Sequence, residues 1–197
     1  LQKLIDYVAR KKFEDDDQTF LFLPLAHVFA RILVNSVIAV GNTMTFFRGM
    51  ETLVDDFQIV RPHFFSSVPR IFEKVYSKVI CGAEAKGGAA LKIFNRAKGV
   101  GSEVSELIIA KKNIPFMLGL KYKVATKLVF SKVQGALGGR VRFCISGAAP
   151  LNPEIAKFFH GAGVLVLEGL GMSENTSVTN VNRPDTYKFG YVGKQVE

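Results

Sequence analysis

The sequence contains few of the residues on which small secreted proteins and zinc-binding proteins depend. Its 197 residues include two cysteines, Cys81 and Cys144, and three histidines, His27, His63 and His160. Two cysteines are too few for a disulfide-stabilised scaffold, and they indicate a reducing compartment, so we expect a cytoplasmic protein. The three histidines are scattered along the chain, which argues against a zinc cluster.

The sequence also lacks a long uninterrupted apolar run of the kind that crosses a membrane. Its most hydrophobic stretch, residues 19–40, is interrupted by a proline and three polar residues: Pro24, His27, Arg31 and Asn35. The N-terminal region is amphipathic and charged and has no apolar core of a signal peptide. The chain begins without Met and carries no terminal targeting signal, and we expect it to be part of a longer protein.

Positive charge is concentrated in one part of the chain. Lys and Arg number 26 and Asp and Glu 17, which gives a formal net charge of +9. Residues 70–132 hold 13 basic and 4 acidic residues, so this segment carries the whole excess. Its apolar spacing predicts helices, with breaks at residues 87–88, 99–101 and 114–115.

The basic segment has two interpretations. The simpler one is a solvated helical face, and the alternative is a surface for polyphosphate, nucleic acid or an anionic membrane. No RNA-module motif is present and lysines do not alternate with aromatic residues on strands, so we expect no nucleic-acid partner.

The order of local signals predicts an α/β fold, a mixed or parallel sheet with flanking helices. Strands are expected at residues 20–23, 43–47, 63–68, 140–146 and 164–167, and helices at residues 2–12, 28–40, 52–59, from Pro69 onwards and 154–160. Pro69 and Pro153 suit the first turn of a helix, where no amide partner is needed. The Asn152 side chain can accept a hydrogen bond from a free amide at the start of the last helix.

Two segments of small residues follow the last two predicted strands. The first has no bulky side chain, so a planar ring can lie against its backbone: Gly147, Ala148, Ala149 and Pro150. The second, residues 169–174, has two glycines that permit close approach of a ligand. Its Ser173 hydroxyl can bind a phosphate oxygen, and its Glu174 carboxylate can bind Mg²⁺. Each segment alone is more simply an ordinary turn, but together they indicate a ligand site at one sheet edge.

Five motifs occur along the chain in a fixed order: LPLAHVF at 23–29, VPRIFEK at 68–74, LGGRVRFCISGAAP at 137–150, LEGLGMSE at 167–174, and NRPD at 182–185 running into VGK at 192–194. In this order they resemble the acyl-adenylate-forming enzymes, specifically the bacterial-type long-chain fatty-acid–CoA ligases. The resemblance implies one incomplete segment, residues 1–197, of the large N-terminal AMP-binding domain. Within it, residues 70–134 would be a basic helical insertion and residues 138–197 the adenylate-binding α/β part.

The resemblance implies an ATP-dependent acid–thiol ligase. In such enzymes a fatty-acid carboxylate attacks the α-phosphate of ATP to give acyl-adenylate and pyrophosphate, and the CoA thiol then displaces AMP. The implied ligands are a long-chain fatty acid, ATP, Mg²⁺ and CoA. The resemblance leaves undecided whether the protein contacts the inner face of the membrane peripherally and whether it forms a homodimer. Two alternatives are a non-catalytic module that binds nucleotide or acyl-adenylate, and a basic helical protein that binds RNA or membrane.

The resemblance also implies roles for individual residues. Ser173 would contact the α-phosphate or the acyl oxygen, Glu174 would bind Mg²⁺, and His27 would lie near the site of carboxylate activation. The nucleotide would contact the two small-residue segments: Gly147, Ala148, Ala149, Pro150, Gly169, Leu170, Gly171, Met172 and Ser173. A buried histidine bonded to a backbone carbonyl is the alternative for His27, and His63 and His160 are interpreted as structural.

The chain departs from the family pattern at several positions. Ala148 stands where the family has glycine, and Leu170 stands where an aromatic residue usually stacks on the base. Ser173 keeps the hydroxyl of the usual threonine, and Ala30 stands where long-chain relatives often have glutamate. Nothing matches the family's phosphate loop, its ribose-binding aspartate or its C-terminal lysine domain, so we expect these 197 residues alone to be inactive as a ligase.

An acyl tunnel would need an apolar lining. The sequence offers residues 28–40 and 64–68 for that purpose, and plain core packing is the alternative interpretation.

Overall fold

The computed structural model describes residues 16–175 and 177–196. Its strands form one seven-stranded sheet in the order β2-β1-β3-β4-β5-β6-β7. The strands are β1 Gln18–Leu21, β2 Thr43–Phe46, β3 Phe64–Ser67, β4 Phe143–Ser146, β5 Leu165–Met172, β6 Ser177–Val181 and β7 Lys194–Gln195. Neighbours from β2 to β5 pair in parallel, and β6 and β7 are antiparallel.

The described α-helices are α1 Val28–Val40, α2 Leu53–Val60, α3 Pro69–Glu84, α4 Gly88–Ile109, α5 Phe116–Ala125, α6 Ser131–Ala136 and α7 Pro153–Gly161. A π-helical turn, Thr126–Phe130, joins α5 to α6, and a 3₁₀ turn, Ser173–Asn175, follows β5. The mixed sheet with flanking helices confirms the predicted α/β fold. The helix expected at residues 2–12 lies outside the described residues.

Sequence signals explain where two of the helices begin and end. Gly41 has a left-handed φ of 84° and ends α1, with its amide donating to the Val37 carbonyl. At the start of α7, the Asn152 side chain accepts a hydrogen bond of 2.9 Å from the Glu154 amide. Pro153 occupies the first turn of this helix, as its lack of an amide donor predicts.

The sheet packs against different layers on its two faces. Because side chains alternate along a strand, one face carries a large core with α2, α3, α4, α6 and α7, to which the sheet contributes Phe20, Phe65, Cys144 and Val166. The opposite face carries a smaller core against α1, with Leu21, Phe64, Phe143 and Leu167. Among the described helices, α1 is therefore the one that covers this second face.

Glycine allows close helix packing in α4, where the sequence predicted a helix break. The break expected at residues 99–101 is wrong, because α4 continues from Gly88 to Ile109. A Cβ on Gly161 of α7 would lie 2.6 Å from the Gly101 carbonyl oxygen. These two glycines let the backbones of α4 and α7 approach closely. The breaks predicted at residues 87–88 and 114–115 are confirmed.

The strand order brings several connecting segments to one edge of the sheet. The chain passes from β1 to β2 on one side and then returns to β3 on the other side of β1. Such a reversal opens a crevice outside the carboxyl ends of the two strands. The segments that follow β1, β3 and β4 leave the sheet at this edge, and they include residues 22–27 and 147–152.

Candidate functional site

A largely apolar cavity of about 120 Å³ lies between α1 and strands β3 to β6. Helix α1 contributes residues spaced three and four apart, which places them on one helix face: Val28, Phe29, Ile32, Leu33, Ser36, Val37 and Val40. With a rise of 1.5 Å per residue, the cavity follows α1 for about 18 Å. The cavity is therefore a narrow slot parallel to the helix.

The sheet forms the opposite wall of this cavity. Of residues 64–68, Phe64 and Ser66 line it, and Ile145 of the neighbouring strand lies beside them. Ser66 is buried, and its hydroxyl has no hydrogen-bond partner within the described part of the chain. By contrast, the Ser36 hydroxyl donates to the Ile32 carbonyl at 2.7 Å. The Ser66 hydroxyl is thus a polar group on an otherwise apolar wall.

One end of the cavity reaches the two small-residue segments. Gly147 is buried and lies close to Phe29. A Cβ at Gly147 would be 3.2 Å from that ring. Eight of the predicted site residues line the cavity: His27, Gly147, Ala148, Gly169, Leu170, Gly171, Met172 and Ser173. The structure therefore brings residues from both segments together with the start of α1.

His27 immediately precedes α1 and is exposed. The alternative of a buried histidine is therefore wrong. Its side chain makes no capping hydrogen bond. The imidazole is thus available to a ligand at this end of the cavity.

Three predicted site residues do not line the cavity: Ala149, Pro150 and Glu174. Glu174 is exposed and follows Ser173 directly in the 3₁₀ turn. Among residues 16–175 and 177–196, no cluster of three or more His, Cys, Asp or Glu side chains could hold a metal ion. A single carboxylate still fits Mg²⁺, which commonly binds one or two carboxylates together with substrate phosphates.

The second predicted loop is mostly strand. The sequence placed the end of a strand at Leu167, but β5 continues to Met172 and pairs with β6, with an irregularity between Leu170 and Gly171. A Cβ on Gly171 would lie 2.2 Å from the Ser177 carbonyl oxygen. The glycines that suggested a loop are therefore needed for close backbone pairing at the cavity wall.

Glu168 supports the site and was missed by the sequence analysis. It is buried, and its two carboxylate oxygens accept hydrogen bonds from the Leu151 amide at 2.9 Å and the Gly190 amide at 3.3 Å. These bonds hold the segment after Pro150 and the segment before β7 against β5. The available signal was a carboxylate within an apolar strand, where an unpartnered charge would be costly.

His160 connects three parts of the fold, as its structural interpretation requires. Its Nδ1 lies 2.7 Å from the Ser105 hydroxyl of α4, and its Nε2 lies 2.8 Å from the Tyr187 hydroxyl. Burial lowers the pKa of His160 to about 4, so the ring is neutral near pH 7. A neutral imidazole donates through one nitrogen and accepts through the other, which suits this pair of hydroxyl partners.

The family model for AMP-binding enzymes matches residues 2–197. The chain belongs to the AMP-binding enzyme family. It is 37% identical over 186 residues to long-chain-fatty-acid–CoA ligase 5 of Mus musculus, with 92% of this chain and 25% of that protein covered. It is 33% identical over 180 residues to the long-chain-fatty-acid–CoA ligase FadD15 of Mycobacterium bovis, with 91% and 30% covered. The chain thus spans about a quarter of the length of curated relatives that it matches.

Solved structures of AMP-binding enzymes share the fold. The N-terminal domain of FACL13 from Mycobacterium tuberculosis matches with a TM-score of 0.59 at 14% identity, covering 98% of this chain and 37% of that one. The o-succinylbenzoate CoA synthetase MenE from Bacillus subtilis, in complex with its acyl-adenylate intermediate, matches with a TM-score of 0.59 at 12% identity, covering 99% and 30%. These likenesses confirm the expected fold, that of the N-terminal domain of acyl-adenylate-forming enzymes.

The backbone conformation at position 148 favours glycine, the residue that the resemblance implies there. Ala148 of this chain has a left-handed φ of 69°. A residue with a Cβ adopts this region at a cost of about 1–2 kcal/mol, whereas glycine adopts it freely. The departure from the family pattern therefore introduces strain beside the cavity.

Proposed function

We propose that this chain forms the acyl-binding and nucleotide-binding part of an ATP-dependent ligase. The ligase activates a long-chain fatty acid as its acyl-adenylate and transfers the acyl group to CoA. The observation that carries the proposal is the continuity of one apolar cavity, which follows α1 and reaches the segments that contain Gly147 and Ser173. An alkyl chain in this cavity has its carboxylate at the end where those segments meet. The long-chain substrates in the relatives' names support the same class of acid.

The apolar walls of the cavity favour an alkyl chain over a polar substrate. Each buried methylene contributes about 0.8 kcal/mol, so a few methylenes already provide most of the binding free energy of a weak ligand. The side chains of Ile32, Leu33 and Val37 line the cavity and cannot form hydrogen bonds with a polar substrate. The acyl chain therefore extends along α1, away from His27 and towards Val40.

The nucleotide site lies at the carboxylate end of the cavity. Residues 147–150 have no bulky side chain, so the adenine ring lies against their backbone. The Ser173 hydroxyl donates to the α-phosphate or the acyl oxygen, and the exposed His27 imidazole faces the carboxylate. Leu170 in place of an aromatic residue weakens stacking on the base by about 1 kcal/mol, which lowers nucleotide affinity without removing a reacting group.

The chemistry needs alignment and charge stabilisation more than a reactive side chain. A carboxylate oxygen of the fatty acid bonds to the α-phosphorus of ATP, and pyrophosphate leaves. The CoA sulfur then bonds to the acyl carbon, and AMP leaves. Glu174 holds Mg²⁺, which when bound neutralises charge on the phosphate oxygens.

Replacing the proposed metal ligand tests this assignment. In the longer protein that contains this chain, Glu174→Gln should lower palmitate-dependent ATP–pyrophosphate exchange about 100-fold, because charge on the phosphates is then poorly neutralised. The matched control is Glu154→Gln, another exposed carboxylate, which lies in the first turn of α7. Equal exchange by the Glu174 variant and the wild type would remove Glu174 from the metal role.

The same assay separates the ligase from a non-catalytic module. A ligase shows exchange that depends on the added fatty acid. A wild-type protein that binds ATP but gives no exchange with any fatty acid would instead support a module that binds the nucleotide only.

A further inference from the structure

The wall of the cavity under α1 carries a hydroxyl group that the protein does not satisfy. Ser66 of β3 is 1% exposed and lines this cavity. Its hydroxyl has no hydrogen-bond partner within residues 16–175 and 177–196. A buried hydroxyl without a partner is costly, because it has given up its hydrogen bonds to water. A ligand that bonds to Ser66 would remove this cost.

The neighbours of Ser66 in the cavity wall are apolar. On the same face of the sheet, Phe64 lies two positions earlier on β3 and Ile145 lies directly across on β4. On the opposite wall, Ile32 and Leu33 of α1 line the cavity. A buried water is typically held by about three hydrogen bonds, and these four side chains offer none. The hydroxyl of an organic ligand, carried there by an alkyl chain, suits this place better than a water molecule.

A second serine of the same cavity provides a comparison. Ser36 of α1 is also buried and lines the cavity, but its hydroxyl donates to the Ile32 carbonyl at 2.7 Å. Serine in a helix often bonds to the carbonyl four residues earlier in this way. Ser66 lies on a strand and donates to no backbone carbonyl of the described residues. The two serines thus differ in whether the hydroxyl proton is available to a ligand.

Ser66 lies part-way along the cavity rather than at its carboxylate end. In the register of the sheet it pairs with Ile145, and Gly147 follows Ile145 by two residues. At about 3.3 Å per residue in a parallel strand, Ser66 is about 7 Å from the level of Gly147. The carboxylate is proposed to lie near Gly147, so the ligand atom that meets Ser66 belongs to the acyl chain.

We propose that the cavity under α1 favours long-chain fatty acids that carry an oxygen substituent, such as a hydroxyl, in the carboxyl half of the chain. The Ser66 hydroxyl donates to this oxygen, and the apolar walls hold the alkyl segments on both sides of it. The assignment rests on the proposed function, because it takes the acyl chain to lie in this cavity. A plain fatty acid leaves the Ser66 hydroxyl without a partner, and a buried polar group discriminates against a ligand that cannot bond to it.

The test compares palmitate with its monohydroxylated forms in the longer protein that contains this chain. ATP–pyrophosphate exchange gives kcat/KM for each acid, and titration calorimetry gives each Kd without turnover. We expect 6-hydroxypalmitate to exceed palmitate about tenfold in both kcat/KM and affinity, because it satisfies the buried hydroxyl. Since Ser66 lies on one wall, one enantiomer should account for this gain. The hydroxyl of 16-hydroxypalmitate is at the far end of the chain and should give no gain.

Three variants assign the preference to one side chain. Ser66→Ala removes the donor and should abolish the preference for 6-hydroxypalmitate over palmitate, and Ser66→Thr keeps the hydroxyl and should retain it. Ser36→Ala is the matched control, because it removes from the same cavity a hydroxyl that already donates to the Ile32 carbonyl. The ratio of the two acids in this control should equal that of the wild type.

Two results would overturn the assignment of Ser66 and leave the ligase function in place. They are equal kcat/KM for palmitate and 6-hydroxypalmitate in the wild type, and a preference that Ser66→Ala does not change. A lack of exchange with every acid would remove the ligase function instead. The calorimetric ratio of the two acids in the wild type and in Ser66→Ala would then decide the role of Ser66. Failure to bind either acid would overturn both.

Discussion

Ala148 holds a left-handed backbone conformation beside the candidate nucleotide site. At the residue scale, an alanine-to-glycine change at this position has two opposing effects on the free energy of unfolding. Glycine removes the steric cost of a positive φ, about 1–2 kcal/mol, but it adds conformational freedom to the unfolded chain, which costs about 0.5–1 kcal/mol. The first effect is the larger one.

We therefore predict that Ala148→Gly raises the free energy of unfolding by up to about 1 kcal/mol. Ala149→Gly is the matched control, because Ala149 is not among the residues with positive φ and its change should destabilise the protein. Chemical denaturation of the two variants and the wild type under the same conditions measures both changes in the free energy of unfolding. A loss of stability in Ala148→Gly equal to that in Ala149→Gly would contradict the strain at position 148.

Residues of the site differ in how well the sequence could predict them. Gly147, Ser173 and His27 stand in short motifs that follow a strand or precede a helix, and all three line the same cavity. Their roles stay predictions. Glu168 was missed. The role of Glu168 depends on amides 17 and 22 positions away in the sequence. Such distant partners are fixed by the tertiary fold and leave no local pattern.

At the element scale, α1 determines the length of the proposed acyl site. The cavity follows the helix from Val28 to Val40, so Val40 lies at the end remote from His27. Ile38, two residues earlier, is on the exposed side of the same helix. A larger side chain at position 40 shortens the cavity, whereas one at position 38 does not reach it.

We predict that Val40→Phe lowers kcat/KM for palmitate about tenfold relative to octanoate in the longer protein. The reason is that excluding two methylenes costs about 0.8 kcal/mol each. Ile38→Phe should leave the ratio of the two substrates unchanged. The cavity under α1 would lose its proposed role if both variants shifted the ratio equally, or if neither did.

The elements differ in how well their boundaries could be predicted. The helix expected at residues 28–40 has the observed bounds, because a 3.6-residue apolar period and a terminal Gly41 agree there. The break expected at residues 99–101 was wrong, and β5 was placed too short. In both cases glycine was interpreted as a local signal, whereas its reason is a close approach of another backbone.

At the scale of the whole molecule, His160 connects α4, α7 and the segment before β7 through two hydroxyl partners. Burial lowers its pKa from 6.5 to about 4. The unfolded chain therefore binds more protons than the folded chain between these two pH values. The contribution of the neutral His160 to the free energy of unfolding is fully present above the unfolded pKa. It is lost as the pH decreases towards about 4, by up to about 3 kcal/mol.

We predict that His160→Gln flattens the decline in unfolding free energy between pH 6.5 and pH 4. Tyr187→Phe is the control, since it removes one hydrogen bond but keeps the buried imidazole, and its acid dependence should match that of the wild type. Denaturation midpoints across this pH range provide the measurement. Identical acid dependence in His160→Gln and the wild type would assign the decline to other groups.

The overall organisation was predictable from the order of strand and helix signals, but the unequal covering of the sheet was not. Which face of β3 meets α1 and which meets the larger core depends on register, and Phe64 and Phe65 look alike in the sequence. The placement of residues 70–134 as a basic insertion and of residues 138–197 as the adenylate-binding part stays a prediction.

The most direct test of the proposed acyl site is photolabelling of the longer protein. The probe is palmitate with a photoreactive group at its terminal carbon, applied with ATP and competed by unlabelled palmitate. We predict competable labels on peptides that contain Val37 or Val40, which border the cavity near its end remote from His27. Competable labels confined to peptides outside the cavity would contradict the central claim that the slot under α1 holds the fatty-acid chain.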